Sequence, residues 1–307
     1  MKDNILVSFV LIAYNQEDLI EEAVKAAFLQ KYDNLEIILS DDASSDNTYL
    51  KMKELTDNYS GDHKIILNQN PKNLGIGAHF QKAVSISSGK WIVAAAGDDI
   101  SYPERTSIYV NLIREFGEVA CISARFDNSY NTAIEEAVIS KKSDKVKFIS
   151  GKKLDWLKLT RRGKLPGIPG CSVMWNRKLF EIFPPIPQGV MGEDVILKCR
   201  AFISGLGIIF TSSKVVYYRS HDNNQSSGLE SYIHEKNVFY AKATAYKELI
   251  QFSKDNPNIY SKNQWNKVFC FFEEYLYRAV VLRRSKTLGR FLTSILLFLG
   301  LSNFKKN

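Results

Sequence analysis

The sequence predicts an α/β fold in which a mostly parallel sheet is flanked by helices and followed by a C-terminal helical extension. Apolar runs alternate four times with amphipathic segments over roughly the first hundred residues, which is typical of a parallel sheet with crossover helices. The chain has 307 residues, of which 45% are hydrophobic and 24% charged. That length and composition allow one large α/β domain, or one domain with an appendage.

The first half of the chain has the clearest pattern. Four runs predict strands, and the first is typical of a strand covered on both faces: ILVSFVLIAYN, LEIILSDDASS, KIILNQN and KWIVAAAGDD. Three segments between them predict helices: EDLIEEAVKAAFLQ, DNTYLKMKELTDNY and IGAHFQKAVSISS. Asp46 and Thr48 are cap candidates for the second helix.

After Pro103 the pattern is looser. VACISARF and GCSVMW predict strands, KKSDKVKF a polar loop or sheet edge, and GIIFTSSKVVYYRS two short strands. The segment MGEDVILKCRAFISG predicts an amphipathic helix that begins with acids. From Tyr232 onward the pattern is helical and rich in aromatic residues.

Two acidic pairs, Asp41–Asp42 and Asp98–Asp99, each follow a predicted strand. Ligands of open α/β sheets bind beyond the carboxyl ends of the strands, so both pairs are expected at one edge. Carboxylate oxygens suit Mg²⁺ or Mn²⁺, which neutralises the charge that develops on a diphosphate leaving group. The simpler interpretation is a solvated turn, since aspartate favours such positions.

Charge and motif content exclude several classes. The net charge is +8, and the last 37 residues contain seven basic and two acidic side chains, a pattern that fits nucleic acid, an anionic membrane or solubility alone. The four cysteines form no CxxC pair, which favours free thiols and a cytoplasmic location. No signal peptide or membrane span is predicted. Glycine fingerprints of dehydrogenases and P-loop enzymes are absent, as are nucleic-acid-binding motifs, so no nucleic-acid partner is expected.

Four segments in order resemble the family 2 glycosyltransferases, which are inverting, nucleotide-sugar-dependent enzymes of the GT-A fold with a Rossmann-like sheet. They are VSFVLIAYNQEDLIEEAV, LEIILSDDASSDNT, NPKNLGIGAHFQKAV and SGKWIVAAAGDDISYPERT. The resemblance implies a catalytic domain over 1–225, with a nucleotide-sugar half at 1–103 and an acceptor half at 104–225. It leaves 226–307 as a basic, amphipathic helical extension.

The resemblance also implies roles for residues of the nucleotide half. Tyr14 matches the position that packs on the nucleobase, Asp42 the residue that recognises uracil, and Asp41 the turn beside it. Asp98 matches the metal-binding and nucleotide-binding aspartate of the DxD motif, with Asp99 next to it. The family often has Asp-Ala-Asp-Asp where this chain has Ala96-Gly97-Asp98-Asp99, so the first acid is missing.

The acceptor half carries the remaining site residues. Asp194 matches the family's catalytic base and Glu193 is the second choice, although acids at a helix start also complement the helix dipole. Gly170, Cys171 and Ser172 are candidates to line the sugar pocket through backbone groups, whereas Val173 and Met174 fit a core strand equally well. His221 is either a metal or diphosphate residue or a surface residue, and Arg219 is a candidate diphosphate contact.

The segment 278–306 contains eleven mostly apolar residues between basic clusters. It fits either a helix lying on an anionic membrane, on the inner face of the cell membrane, or a helix packed on the catalytic domain or a second subunit. The resemblance implies a UDP-sugar donor, Mn²⁺ or Mg²⁺, and a saccharide or lipid-linked saccharide acceptor in cell-surface polysaccharide synthesis. The alternative is a sugar-nucleotide binder of the same fold without activity; a homo-oligomer is compatible with either.

Overall fold

The computed structural model describes residues 4–128, 145–151, 167–190, 192–220 and 231–281. Within these residues nine strands form one sheet, in the order β3-β2-β1-β4-β8-β6-β9-β5, with β7 also paired to β9. The strands are β1 Val7–Ala13, β2 Leu35–Asp41, β3 Lys64–Gln69, β4 Trp91–Ala96, β5 Ile100–Ser101, β6 Val119–Asp127, β7 Val146–Ile149, β8 Val173–Asn176 and β9 Gly207–Tyr217.

Helices flank this sheet and follow it in the chain. They are α1 Ile20–Phe28, α2 Thr48–Asp57, α3 Ile76–Ser85, α4 Arg105–Phe116, α5 Lys178–Glu181, α6 Glu193–Ile203, α7 Ser231–Asp255 and α8 Lys262–Val281. The predicted class, a mostly parallel sheet flanked by helices with helices at the C-terminal end, is confirmed.

The first four strands along the chain, β1 to β4, pair in parallel in the order β3-β2-β1-β4. Six of the seven β1 residues are buried, and so are all seven of β2. Helices therefore cover both faces of these strands, as their continuous apolar runs predict. The four predicted strands and the three predicted helices between them are all present.

The second half of the sheet mixes directions. β8 lies antiparallel to both β4 and β6, while β9 lies parallel to β6. The prediction of two short strands between 207 and 220 is wrong, because Gly207–Tyr217 is one strand. β6 pairs with it on one side, and β7 and then β5 pair with it on the other. The helix α4 and the two-residue strand β5 were not predicted from the sequence.

Two hydrophobic clusters form the core, and one of them extends into the C-terminal helices. In that cluster Leu249 and Phe252 of α7, and Trp265 and Val268 of α8, belong with Phe202 of α6. The described part of the extension therefore packs on the α/β sheet domain. Among the helices of the described ranges, none has the length and apolar character needed to cross a membrane. Most of 278–306 lies outside the described residues, so its predicted membrane contact stays a prediction.

Candidate functional site

Both acidic pairs lie at the carboxyl edge of the parallel strands. β1 pairs in parallel with β2 and with β4, so that Asp41 is aligned with Ala13 and Ala96 with Ile12. The segments that continue from β2 and β4 therefore end on either side of the loop that follows β1. This is the edge at which open α/β sheets bind their ligands.

Backbone-to-side-chain hydrogen bonds in both directions join the loop after β1 to the segment after β2. The bonds are Asn15 N–H to Ser44 Oγ at 2.9 Å, Gln16 N–H to Thr48 Oγ1 at 2.7 Å, Glu17 N–H to Asp46 Oδ2 at 3.1 Å, Ser45 N–H to Asn15 Oδ1 at 2.8 Å, and Asn47 N–H to Glu17 Oε2 at 2.9 Å. Asn15 and Ala43 have φ of 50° and 58°, values that persist only where the surroundings enforce them. The linked loops leave Tyr14 46% exposed at this edge.

Asp41 is fully buried and shapes the turn after β2. Its carboxylate accepts the backbone N–H of Ser44 at 3.0 Å, the hydroxyl of the same serine, and Nε2 of Gln69 at 3.2 Å. The charge is thus engaged within the protein and orders the loop that contains Ala43.

Asp42 is only 2% exposed and holds the loop between β3 and α3. Its Oδ1 accepts Nδ2 of Asn70 at 2.7 Å, and its Oδ2 accepts the N–H of Gly75 at 3.0 Å. The N–H of Leu74 is shared by the two oxygens, at 3.0 and 3.1 Å. A carboxylate has about four acceptor positions, so these three donors use most of its capacity.

His79 belongs to the same network, although no motif indicated it. The imidazole is buried, with Nε2 2.8 Å from Ser40 Oγ and Nδ1 4.0 Å from Asp42 Oδ2. Nδ2 of Asn68 donates to Ser40 at 2.9 Å and lies 3.1 Å from Oδ1 of Asn70, which in turn binds Asp42. Burial lowers the pKa of His79, so the ring is neutral at pH 7. The available signal was a histidine on the apolar face of a predicted helix.

The second acidic pair differs from the first in its electrostatics. Asp98 is half-buried and Asp99 is 6% exposed. Burial, and then the charge of Asp98, raise the pKa of Asp99 to about 7. Two adjacent carboxylates with this little solvent need positive charge beside them.

Two buried arginines supply some of that charge. Arg219 donates from its backbone N–H to Asp99 Oδ1 at 3.2 Å, and from its guanidinium to the carbonyls of Gly97 and Asp98. Arg105 is 1% exposed and donates to Ser101 Oγ at 2.8 Å. Both guanidinium charges act to lower the pKa of Asp99, against the effect of burial. Neither the fixed position of Arg219 nor the proximity of Arg105 was visible in the sequence.

Gly97 stands where the family often has a residue with a side chain. A Cβ at this position would lie 2.5 Å from Gln16 Oε1, 2.8 Å from Ile20 Cδ1 and 3.0 Å from Ala13 Cβ. Gln16 Oε1 is buried and has no hydrogen-bond partner in the part of the chain that the structure describes. The turn between β4 and Asp98 is therefore packed directly against the loop after β1.

Glu193 and Asp194 begin α6 after Gly192, whose φ of 108° is a conformation that favours glycine. A Cβ on Gly170 would lie 3.4 Å from Asp194 Cβ, and one on Gly77 would lie 3.7 Å from Glu193 Cβ. The pair thus contacts both the 3₁₀ turn before β8 and the start of α3. Burial, and then the charge of Asp194, raise the pKa of Glu193 to about 8.

The predicted pocket residues Gly170, Cys171 and Ser172 form that 3₁₀ turn, and the strand begins only at Val173. The Ser172 hydroxyl is buried and donates to Ala124 O at 3.0 Å. Burial raises the pKa of the Cys171 thiol to about 12, so the thiol stays protonated. Gly170 lies beside the Glu193–Asp194 pair, since a Cβ there would be in van der Waals contact with Asp194.

His221 lies outside the described residues, so its predicted role stays a prediction. Within the described ranges, no group of three or more His, Cys, Asp or Glu side chains is arranged to hold a metal ion. Asp98 and Asp99 form a pair of carboxylates, which is the donor type that Mg²⁺ and Mn²⁺ take with substrate phosphates and water as further ligands.

Comparison with known proteins identifies the family. A family model described as Glycosyl transferase family 2 matches residues 8–183. A curated relative, the UDP-Glc:alpha-D-GlcNAc-diphosphoundecaprenol beta-1,3-glucosyltransferase WfgD of Escherichia coli, is 27% identical over 181 residues, which cover 59% of this chain and 64% of WfgD. The chain spans 29% to 64% of the length of the first curated relatives it matches.

Solved structures share the fold. S. aureus TarS 1-349 in complex with UDP-GlcNAc superimposes with a TM-score of 0.69 at 14% identity, covering 96% of this chain and 81% of that one. The mannosyltransferase PcManGT from Pyrobaculum calidifontis, in complex with GDP-Man and Mn²⁺, has a TM-score of 0.56 at 16% identity, covering 97% and 76%. These likenesses confirm the GT-A architecture. With the family match over more than half of its residues, the chain belongs to glycosyl transferase family 2.

Proposed function

We propose that the protein transfers a sugar from a nucleotide diphosphate to a saccharide hydroxyl, with inversion at the anomeric carbon. The observation that carries this proposal is the shared edge at which Tyr14, Asp42 and the Asp98–Asp99 pair meet. The family match supports it, as does the shared fold of TarS bound to UDP-GlcNAc and of the mannosyltransferase PcManGT.

The donor is proposed to be a UDP-sugar. Tyr14 offers an exposed ring for stacking on a base. Asp42 orders the loop at 70–75 and is the proposed acceptor of the imide N–H of uracil, which would have to share an oxygen that already accepts a backbone N–H. The name of WfgD refers to UDP-Glc and TarS was solved with UDP-GlcNAc, whereas PcManGT was solved with GDP-Man. A GDP-sugar is therefore the donor to test second.

Asp98 and Asp99 are proposed to hold Mn²⁺ or Mg²⁺. Burial, and then the charge of Asp98, raise the pKa of Asp99, and a divalent cation fits a pair of carboxylates placed side by side in this way. When bound, the ion neutralises negative charge on the departing diphosphate. The two carboxylates would position the ion, with Arg219 and Arg105 as the nearby positive charges. His221 is proposed as a further contact, outside the described residues.

Asp194 is proposed as the base. As the acceptor oxygen forms its bond to the anomeric carbon, the bond from that carbon to the diphosphate oxygen breaks and the electron pair leaves with the nucleoside diphosphate. The hydroxyl proton moves to the Asp194 carboxylate. Glu193, with a pKa of about 8, keeps its own proton at pH 7 and is the weaker candidate. Gly170, which lies beside this pair, leaves space for the acceptor sugar.

The biological setting is proposed to be polysaccharide or lipid-linked glycan synthesis. WfgD is named for a diphosphoundecaprenol-linked acceptor, which is a sugar presented at a membrane. A basic C-terminal segment at 278–306 fits an enzyme that meets such an acceptor on an anionic surface.

The experiment is calorimetric titration of UDP and GDP into the purified protein, with and without Mn²⁺, repeated with Asp98→Ala. Mn²⁺-dependent UDP binding that Asp98→Ala abolishes supports the donor and metal assignments. Transfer from UDP-glucose to a GlcNAc-diphospho-lipid, lost in Asp194→Asn, then supports the activity. Tighter binding of GDP than UDP contradicts the donor, and UDP binding without turnover of any donor favours the inactive sugar-nucleotide binder.

A further inference from the structure

Arg219 forms hydrogen bonds with all three residues of the acidic turn Gly97–Asp99, which no sequence motif predicted. Its Nε donates to the backbone carbonyl of Asp98, and one terminal nitrogen reaches the carbonyl of Gly97 at 3.4 Å. Its backbone N–H donates to Asp99 Oδ1 at 3.2 Å. Three successive residues of the turn are therefore held by one residue that lies about 120 positions later in the chain.

The same guanidinium also anchors the start of α1. A terminal nitrogen donates to Leu19 O at 2.8 Å, and the other forms an ion pair with Glu22 Oε2 at 2.5 Å. The Arg219 residue is 9% exposed, whereas the Glu22 side chain is 65% exposed. The arginine thus joins the Gly97–Asp99 turn to α1, the helix that follows the loop after β1. A guanidinium presents its N–H donors as a planar fork, which suits such multiple contacts.

We propose that Arg219 is a positioning residue, which fixes the geometry of the Gly97–Asp99 turn before any ligand arrives. The importance of this turn for catalysis rests on the proposed function. The hold of Arg219 on the turn does not, because it can be measured in the protein without a ligand. The arrangement differs from a direct diphosphate contact, because the guanidinium donates to the backbone carbonyls of Leu19, Gly97 and Asp98 and to Glu22. A carboxylate pair held in place in advance binds a cation without the cost of ordering the turn.

The test compares Arg219→Lys with Arg177→Lys. Arg177 is a matched control because it binds Gly89 O at 2.5 Å, Val84 O at 3.2 Å and Ser87 Oγ at 2.6 Å, at the opposite end of β4. Both substitutions keep a positive charge but replace the planar guanidinium and its several N–H donors by a single ammonium group. Only the first should affect the turn.

Two measurements are made on each protein. Hydrogen exchange without ligand follows the amides of Gly97 and Asp99, which donate to Ile12 O and Ala96 O. Titration with UDP and Mn²⁺ follows binding. We expect Arg219→Lys to speed exchange at these amides and to weaken UDP binding by about tenfold, or about 1.4 kcal/mol, while Arg177→Lys changes neither by more than about twofold.

The outcomes separate the two levels of the inference. Unchanged exchange in Arg219→Lys overturns the positioning role, and weaker UDP binding together with unchanged exchange assigns Arg219 to direct ligand contact instead. If the wild-type protein binds no nucleoside diphosphate, the proposed function fails, and the exchange measurement still decides whether Arg219 holds the turn. Should Arg219→Lys not fold, Glu22→Gln removes the ion pair alone, and faster exchange at Gly97 and Asp99 in that variant is the expected result.

Discussion

Arg200 of α6 and Glu248 of α7 form a buried bidentate ion pair. Nε of Arg200 donates to Oε2 at 2.8 Å and a terminal nitrogen to Oε1 at 2.7 Å, with side-chain exposures of 0% and 6%. The arginine also donates to Pro184 O at 2.6 Å, and its Cζ lies over the ring of Phe183, 5.4 Å from the ring centroid. The helix that begins with the Glu193–Asp194 pair is therefore tied to the C-terminal extension.

Glu248→Gln should be strongly destabilising, because it leaves the buried Arg200 charge without its partner. Breaking a buried pair costs about 3 to 5 kcal/mol, and urea denaturation would measure it. Glu118→Gln is the control, since Glu118 pairs with Lys178 at 2.8 Å on the surface; that change should cost less than about 1 kcal/mol. If Glu248→Gln lowered the free energy of unfolding as little as Glu118→Gln does, the buried pair would not be needed for stability.

The stability of the protein should fall as pH rises between about 5 and 8, in part because of Glu193. The unfolded chain releases this proton near the ordinary pKa of 4.5, while the folded protein keeps it until about 8. The folded state therefore binds more protons in that window, and the free energy of unfolding declines. Glu193→Gln has no proton to release, so its stability relative to wild type should increase with pH. Parallel urea-denaturation midpoints at pH 5, 6.5 and 8 would contradict this.

The two carboxylates at the start of α6 should separate in activity. Asp194→Asn should lower kcat by about a hundredfold to ten-thousandfold, the range for loss of a general base. Glu193→Gln should lower kcat by less than about tenfold, since this carboxyl is already protonated at neutral pH. Initial rates of sugar transfer under saturating donor measure both. The reverse ranking would make Glu193 the base.

Asp42→Asn should loosen the loop that precedes α3. An amide nitrogen in place of one carboxylate oxygen would face the donors of Leu74 and Gly75 or of Asn70. Such a donor-to-donor contact costs about 1 to 3 kcal/mol. Hydrogen exchange at the amides of Leu74 and Gly75 should become faster, and UDP binding weaker. Asp41→Asn is the comparison, because Asp41 binds Ser44 and Gln69 instead; faster exchange at residues 74–75 in both variants would mean that the loop responds to charge rather than to these bonds.

Gly97→Ala should cost about 1 to 3 kcal/mol, the usual penalty for a group forced into a packed space. The nearest obstacle to the new Cβ is Gln16 Oε1, at 2.5 Å. Adding Gln16→Ala should restore part of the loss, while Ile20 Cδ1 and Ala13 Cβ, at 2.8 and 3.0 Å, prevent full recovery. A double-mutant cycle by thermal unfolding measures this coupling. Strict additivity of the two changes would show that Gln16 moves aside without cost.

The parallel half of the sheet could be predicted because burial on both faces makes its strands continuous apolar runs, as in Leu35–Asp41. The helix α4 escaped prediction because Arg105 and Thr106, both polar, are buried in its first turn and interrupt the apolar period. The sequence predicted two strands in place of β9 because the polar residues Thr211 and Ser213 lie in its middle. In the structure their hydroxyl groups bond each other at 2.8 Å.

The two acidic pairs Asp41–Asp42 and Asp98–Asp99 could be placed from the sequence, since each lies where a predicted strand ends and those strand ends share an edge. Their surroundings could not. His79 reaches Asp42 from α3, and Arg219 reaches Asp98 from the end of β9, so each relationship depends on tertiary packing. A side chain that bonds backbone carbonyls leaves no spacing in the sequence from which its partner can be recognised.

The bonds between the loops after β1 and β2 limit how this protein can change. The backbone N–H groups of Asn15, Gln16 and Glu17 all donate to side chains of residues 44–48. Inserting a residue in either loop would displace several donors from their acceptors at once, so the two loops are expected to vary in length only together. New substrate preferences would then be acquired more readily elsewhere, for example through the 3₁₀ turn at 170–172, which is proposed to face the acceptor.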